Sequence, residues 1–285
     1  MSVTTLAPVS ARRRRTDAIM RGSLAVATIL ALIPLVLVLY YVIQKGIGAW
    51  NADFFTTDPT GNFLGDPGGI KSAILGTVEI VALASLIAIP IGIGVALYLV
   101  EYGKQTWLAN AIRYFVDVMT GVPSIVFGLF VYVTLVIGGG YAAWKGSVAL
   151  ALLMLPIVAR SSEVVLNLVP DSLREAALAL GTPRWRVVMR VVLPTAATGL
   201  VTGALLAIAR GAGETAPLLF TASLVNATNF DLGKATNSLP LQIFSDVQQA
   251  QDRLQQRAWG AALTLVVLIL LLTLVARLVA RRRTV

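Results

Sequence analysis

The side chains of this sequence that could bind or move charge fall into three groups. Arg210 and Glu214 stand four apart in Ala209-Arg210-Gly211-Ala212-Gly213-Glu214-Thr215-Ala216-Pro217, a spacing that puts both on one helix face, where they can pair. The guanidinium presents a planar fork of donors suited to an oxyanion, and the carboxylate could accept a proton from a protonated one. A neutralised structural pair is the competing reading. Arg160 and Glu163, in Arg160-Ser161-Ser162-Glu163, form a second candidate pair, against the reading that Arg160 snorkels to lipid headgroups. The third group is the segment 170–194, where Glu175 opens a run of small residues. The chain has no His and no Cys. Triads built on them, thiolate sites and imidazole ligands are therefore excluded. The remaining chemistry is binding and conduction, and no enzyme activity is expected of this chain.

The elements that must position these groups are membrane helices. Hydrophobic residues make up 57% and charged residues 13%, against roughly 25% charged in soluble domains. Six stretches, near 24–44, 72–100, 111–137, 147–168, 195–225 and 258–280, are long and apolar enough to cross a bilayer, which takes about 20 helical residues. The expectation is an all-α polytopic protein with a basic segment at 1–23 and a six-helix domain over 24–283. Pro90, Pro123, Pro156 and Pro217 fall in or near the spans, where neighbouring helices can satisfy the freed carbonyls. The first span follows Arg12 to Arg15, but its apolar run outlasts a signal-peptide core and reads as a retained anchor.

Lys and Arg outnumber Asp and Glu by 23 to 14, a net charge of +9. Fifteen of the basic residues lie before the first span, in the 101–113 and 170–192 loops and in the tail (Arg277, Arg281, Arg282, Arg283), and six in the alternate loops. That bias places both termini in the cytoplasm and gives no ground for nucleic-acid binding. Arg160 and Arg210 remain inside or at the edge of spans, where a charge costs roughly 3 kcal/mol on insertion scales. Glu79 and Asp117, also within spans, read as partners of helix ends or basic loop residues. Gly199 and Gly203 form a small-residue face for helix packing. The loop at 226–257 is the longest on the outer side, placed to cap a pathway or to receive a solute-binding protein.

In the 170–194 segment Pro170 ends one helix, and Ser172 with Glu175 has capping-box spacing for the start of another. Gly181 stops that helix and Pro183 begins the next. The product is a short helix of small side chains, which another protein can approach closely. Glu175-Ala176-Ala177, Gly181, Val191 and Leu193-Pro194 resemble the EAA loop of the binding-protein-dependent ABC transporter permeases of MetI-like fold. Every spacing fits, with Val191 where Ile is usual. The resemblance implies that Glu175, Ala176, Ala177, Gly181, Leu193 and Pro194 dock a cytoplasmic ATPase. Gly65-Asp66-Pro67-Gly68-Gly69-Ile70-Lys71-Ser72 fails as a P-loop, because Ile70 replaces the Gly beside the Lys. ATP–Mg would be bound by the partner, and no cofactor is expected here.

Further stretches resemble the phosphate-specific, PstA-type branch of that family. They are Gly121-Val122-Pro123-Ser124-Ile125-Val126-Phe127-Gly128, Leu155-Pro156-Ile157-Val158-Ala159-Arg160, Gly213-Glu214-Thr215-Ala216-Pro217-Leu218-Leu219-Phe220, and Ser238-Leu239-Pro240-Leu241-Gln242-Ile243-Phe244. Where that branch usually has Thr-Thr-Glu-Glu after the Arg, this chain has Ser161-Ser162-Glu163-Val164, one carboxylate fewer. The resemblance implies phosphate import across an inner membrane, with Arg210, Glu214, Arg160 and Glu163 on the route. It also implies a PstC-type permease as the other half, two ATPase subunits and an external phosphate-binding protein. A permease for sulfate or molybdate would keep the docking helix and change the pathway residues. A gradient-driven carrier or channel working alone has no use for such a helix.

Overall fold

The computed structural model describes residues 10–62 and 65–282, and among them regular structure is helical throughout. α1 (Ala11–Gly46) begins within the basic segment and runs without interruption past Pro34. Its apolar residues, Leu24 to Ile43, are almost all exposed, as suits a lipid-facing helix. Only its far end is packed, where Gly46 lies against Trp259 and Leu263. A short α2 (Ala52–Thr56) follows, capped by the Asn51 side chain on the Phe54 N–H.

α3 (Lys71–Leu97) passes through Pro90 and ends in a π-helical turn, Tyr98–Tyr102. Ala84, Ala88, Gly92 and Ala96 recur every fourth position and are buried, so they make one narrow face that lets α6 approach closely. The expected third crossing at 111–137 is not one straight helix. α4 (Trp107–Gly121) and α5 (Ser124–Val131, extended by a π turn to Val136) meet at 102°. Pro123 lacks an N–H and forces Val122 into an extended conformation, ψ 129°. Five helices, or six counting this bent pair as one crossing, are long and apolar enough to span a membrane.

α6 (Ala143–Asn167) is the central helix. Leu150, Met154 and Val158 pack on Ile80, Ala84 and Ala88 from one side and on Ala207 and Ala212 from the other. After it come α7 (Asp171–Ala179), α8 (Arg184–Val187), a π turn at Val188–Val192 and α9 (Leu193–Ala212). The expected fifth span at 195–225 is also broken. α9 stops at Ala212, Gly213 turns the chain, and α10 (Ala216–Thr221) starts anew with Pro217 in its first turn. Gly199 and Gly203 face Val165 and Ser161 of α6, the close packing expected of them.

α11 (Leu239–Val247) and α12 (Asp252–Arg282) complete the bundle. A buried polar knot joins them. Arg257 donates from Nε and Nη2 to the two oxygens of Asp246, each at 2.7 Å, and from Nη1 to the Pro67 carbonyl. Gln242 donates to Asp246 at 2.9 Å and accepts from Asn237 at 2.7 Å. In the link before α11, Asp231 takes the Gly233 N–H at 2.9 Å, and this bond together with Lys234 holds its carboxyl below the usual carboxylate range. Arg283 of the basic tail lies outside the described residues.

Candidate functional site

The break after Ala212 reshapes the first candidate pair. Arg210 lies in the last turn of α9, whereas Glu214 lies beyond it in the non-helical link to α10. The two therefore do not share a helix face as their spacing suggested, yet Nη2 of Arg210 still reaches Oε1 of Glu214 at 3.4 Å. The Arg210 side chain is 60% exposed and that of Glu214 only 15%. The carboxylate is thus tucked under the turn, while most of the guanidinium's donors remain available.

What lies before Arg210 is a cleft of about 460 Å³ lined by Met119, Thr120 and Val122 of the α4 bend, Leu153, Pro156 and Ile157 of α6, and Leu206 and Ala209 of α9. Pro156 stands about 16 Å, three turns, before the end of α6 at Asn167, so Arg210 sits near the middle of the helical layer. An adjoining cleft of about 770 Å³ shares Thr120, Pro156, Ile157, Leu206 and Ala209, and continues along α6 and α9 to Arg160, Ser161 and Thr202, with Thr273 and Arg277 of α12 on its wall. The tertiary structure thus brings Arg210 and Arg160 onto one groove between α4, α6, α9 and α12. Its walls are mostly apolar, so the guanidiniums are its main source of binding specificity.

Arg160 has the partner expected of it and one more. Nη1 donates to Oε2 of Glu163 at 3.1 Å, and Nη2 lies 3.3 Å from Oδ1 of Asp117 on α4. The second carboxylate that the 161–164 stretch lacks therefore comes from another helix. The other oxygen of Glu163 accepts from Nε of Arg113 at 2.7 Å. Two arginines and two carboxylates balance in charge, which lowers the cost of holding them in the layer. Arg113 counted only as a loop charge in the sequence, and its four-residue spacing to Asp117 was the available signal of a polar stripe on α4.

The segment expected to dock an ATPase projects from one end of the bundle. α7 starts at Asp171 behind Pro170, and no side chain caps it; the expected Ser172–Glu175 capping box is not formed, because Pro170 sets the first turn one residue earlier. Gly181 terminates the helix with a φ of +77°, a left-handed conformation that favours glycine. Glu175, Ala176, Gly181 and Pro194 are exposed, whereas Ala177 and Leu193 pack inward on a cluster that includes Val100, Leu166, Val187 and Val192. The six residues therefore divide into an outward set that a partner can touch and an inward pair that seats the loop.

Arg174 was missed as anything but a loop charge, and Glu101 was not singled out. Nε of Arg174 donates to Oε1 of Glu101 at 3.0 Å, Nη1 to the Val169 carbonyl at 2.6 Å and to Asp171 at 3.0 Å, and Nη2 to the Leu166 carbonyl at 2.9 Å. Separated by 73 positions, this pair has no local sequence signal. A more polar cleft of about 550 Å³, lined by Asn51, Asp53, Asp66, Arg253 and Arg257 among others, lies between α2 and the start of α12. It contains none of the expected site residues.

Residues 88–285 match the family described as the binding-protein-dependent transport system inner membrane component. The chain belongs to this family. Membership agrees with the helical layer and with the projecting α7. A phosphate transport system permease protein PstA from Yersinia pestis is 42% identical over 91% of this chain and 88% of its own length. PstA 1 of Mycobacterium tuberculosis (strain CDC 1551 / Oshkosh) is 39% identical over 97% of this chain and 93% of its own. Among solved structures, a bacterial alginate ABC transporter chain aligns with a TM-score of 0.70 at 15% identity, covering 96% of this chain and 97% of that one. A chain of the inward-facing MetNI methionine transporter aligns at 0.61 and 19%, covering 76% and 95%. At those identities the structural likeness speaks for the fold, which is the MetI-like permease arrangement.

Proposed function

We propose that this chain is the membrane-spanning permease subunit of an ATP-driven importer of inorganic phosphate, forming one half of the translocation pathway. The observation that carries the proposal is the placing of Arg210 and Arg160 on a single apolar groove within a fold shared with phosphate permeases. A multiply charged oxyanion crossing a low-dielectric layer needs fixed donors along its route, and guanidiniums that stay charged supply them. Glu214 and Glu163, each held by an arginine, balance the fixed charge so that anion release remains possible.

The other half of the pathway would be a PstC-type permease, with two ATPase subunits binding ATP–Mg and an external binding protein delivering phosphate. α7, with Glu175 and Ala176 outward, is the docking element for the ATPase. The cytoplasmic side is then the α7 end, which agrees with the excess of Lys and Arg there and puts both termini inside. The 226–257 segment is on the opposite side, placed to meet the binding protein. Closure of the ATPase dimer would move α7 and rock the bundle between inward and outward openings.

The test is phosphate uptake into vesicles containing the full complex. Arg210→Gln should reduce uptake by about tenfold or more in a complex that co-purifies intact and whose ATP hydrolysis still responds to the binding protein. Unchanged uptake in that complex would reduce Arg210 to a structural charge. Wild-type uptake of sulfate or molybdate in place of phosphate would overturn the substrate.

A further inference from the structure

Between α7 and the groove runs a series of contacts in which ion pairs at the two ends are joined by the backbone of the turn that ends α3. It starts at Arg174, which is buried although its neighbour Glu175 is exposed. Arg174 fastens α7 to the Leu166 carbonyl in the last turn of α6, to the Val169 carbonyl just beyond it, and to Glu101, which is itself only 4% exposed. Glu101 lies in the π-helical turn Tyr98–Tyr102 that ends α3. Two residues earlier in that turn, the Leu99 carbonyl accepts from Nη2 of Arg113 at 3.2 Å. Nε of the same Arg113 holds Oε1 of Glu163, whose Oε2 holds Arg160 in the groove.

Each link has a physical reason to transmit movement. The Leu166 carbonyl also accepts the Val169 N–H at 3.3 Å, and the Arg174 bond adds a charge-assisted one to it. A buried arginine with four acceptors cannot slip from them without leaving charge unpaired in a low-dielectric setting. The turn at 98–102 carries one extra residue per turn, a geometry that can shift without unwinding the helix. Glu163 is shared by two arginines on different helices, so a change in one bond alters what it offers the other.

We propose that Arg174, Glu101, Arg113 and Glu163 form a relay that sets the position of the Arg160 guanidinium according to the position of α7. Displacement of α7 drags Glu101 and the 98–102 turn, and the Leu99 carbonyl moves relative to Arg113. Arg113 then takes more or less of Glu163, and Arg160 is correspondingly released into the groove or drawn back toward Glu163 and Asp117. Arg113 is a positioning residue in this scheme and acts through Glu163. The relay rests on the preceding reading that α7 docks the ATPase and that the groove carries phosphate.

The experiment measures phosphate transported per ATP hydrolysed, in the full complex reconstituted in vesicles. Arg113→Gln should keep ATP hydrolysis near wild type while transport per ATP falls by about fivefold to tenfold. The double variant Arg113→Gln/Arg174→Gln should be no worse coupled than the poorer single variant, because both break one relay. Proportional loss of hydrolysis and transport, or losses that multiply in the double variant, would overturn the relay. Should Arg113→Gln fail to assemble, Arg113→Lys serves, since it keeps the charge beside Glu163 and loses the fork that spans to Leu99. Transport per ATP should then fall by about threefold, and an unchanged ratio contradicts the proposal. Failure of the underlying reading looks different: the wild-type complex itself shows no ATP-driven phosphate uptake.

Discussion

Arg160 on α6 and Asp117 on α4 meet at 3.3 Å across the groove wall, 43 positions apart in the chain. Asp117 supplies the second carboxylate that the stretch after Arg160 lacks. The pair shows how this protein keeps a cation at a membrane-depth surface: partners on two helices share it, and neither buries it. Both side chains remain about half exposed, so the guanidinium is balanced and still accessible.

That accessibility predicts a separation between stability and transport for Arg160→Gln. A half-exposed ion pair contributes about 1 kcal/mol or less, so the melting temperature of the purified complex should barely change. Uptake of phosphate should fall by about tenfold. A large drop in melting temperature with a matching loss of assembled complex would assign Arg160 a structural role.

Arg210 and Glu214 should behave unequally. Arg210→Gln removes the donor fork from the groove, whereas Glu214→Gln removes only its neutralising partner and leaves the fork in place. The expected order of uptake in assembled complexes is wild type, then Glu214→Gln, then Arg210→Gln. Arg210→Lys should fall between the latter two, because an ammonium keeps the charge without the planar geometry. Equal loss in all three variants contradicts the order.

The outward face of α7 offers a direct test of docking. Glu175→Lys reverses an exposed charge and should abolish co-purification of the ATPase while leaving the melting of the isolated permease subunit unchanged. Gly181→Ala acts through the backbone, since a side chain at φ +77° costs about 1–2 kcal/mol. It should weaken ATPase retention by roughly tenfold through a misplaced end of α7. Full retention by both variants would remove α7 from the interface.

The Asp246–Arg257 pair predicts the opposite pattern to Arg160. Its side chains are 1% and 6% exposed, and removing one leaves the other charged and buried. Asp246→Asn should lower stability by about 3–5 kcal/mol, read as a large fall in melting temperature or in yield. A change of only a degree or two would mean that water reaches the pair.

Features governed by neighbouring residues were legible in the chain. The long apolar runs, the helix stop at Gly181 and the restart after Pro183 depend on hydropathy and backbone torsion over a few positions. So does the EAA spacing, which marks a family resemblance without any coordinates. Elements that combine a local signal with a global choice were half legible. Pro123 and Gly213 marked points where spans could bend or unwind, but the 102° turn between α4 and α5 and the end of α9 at Ala212 depend on what those helices pack against.

The polar partnerships could not be read in advance. Arg174 to Glu101 spans 73 positions and Arg113 to Glu163 spans 50, and no periodicity links residues on separate helices. Charge cost demands only that each buried or half-buried ion find some partner; which one it finds depends on how α3, α4, α6 and α7 are set against each other. Composition and spacing therefore established a helical membrane protein with a short helix between Pro170 and Gly181 and two arginines in costly places. Packing of the small-residue faces decided that those arginines share one groove, and that ion pairs joined through the Leu99 carbonyl connect it to that helix.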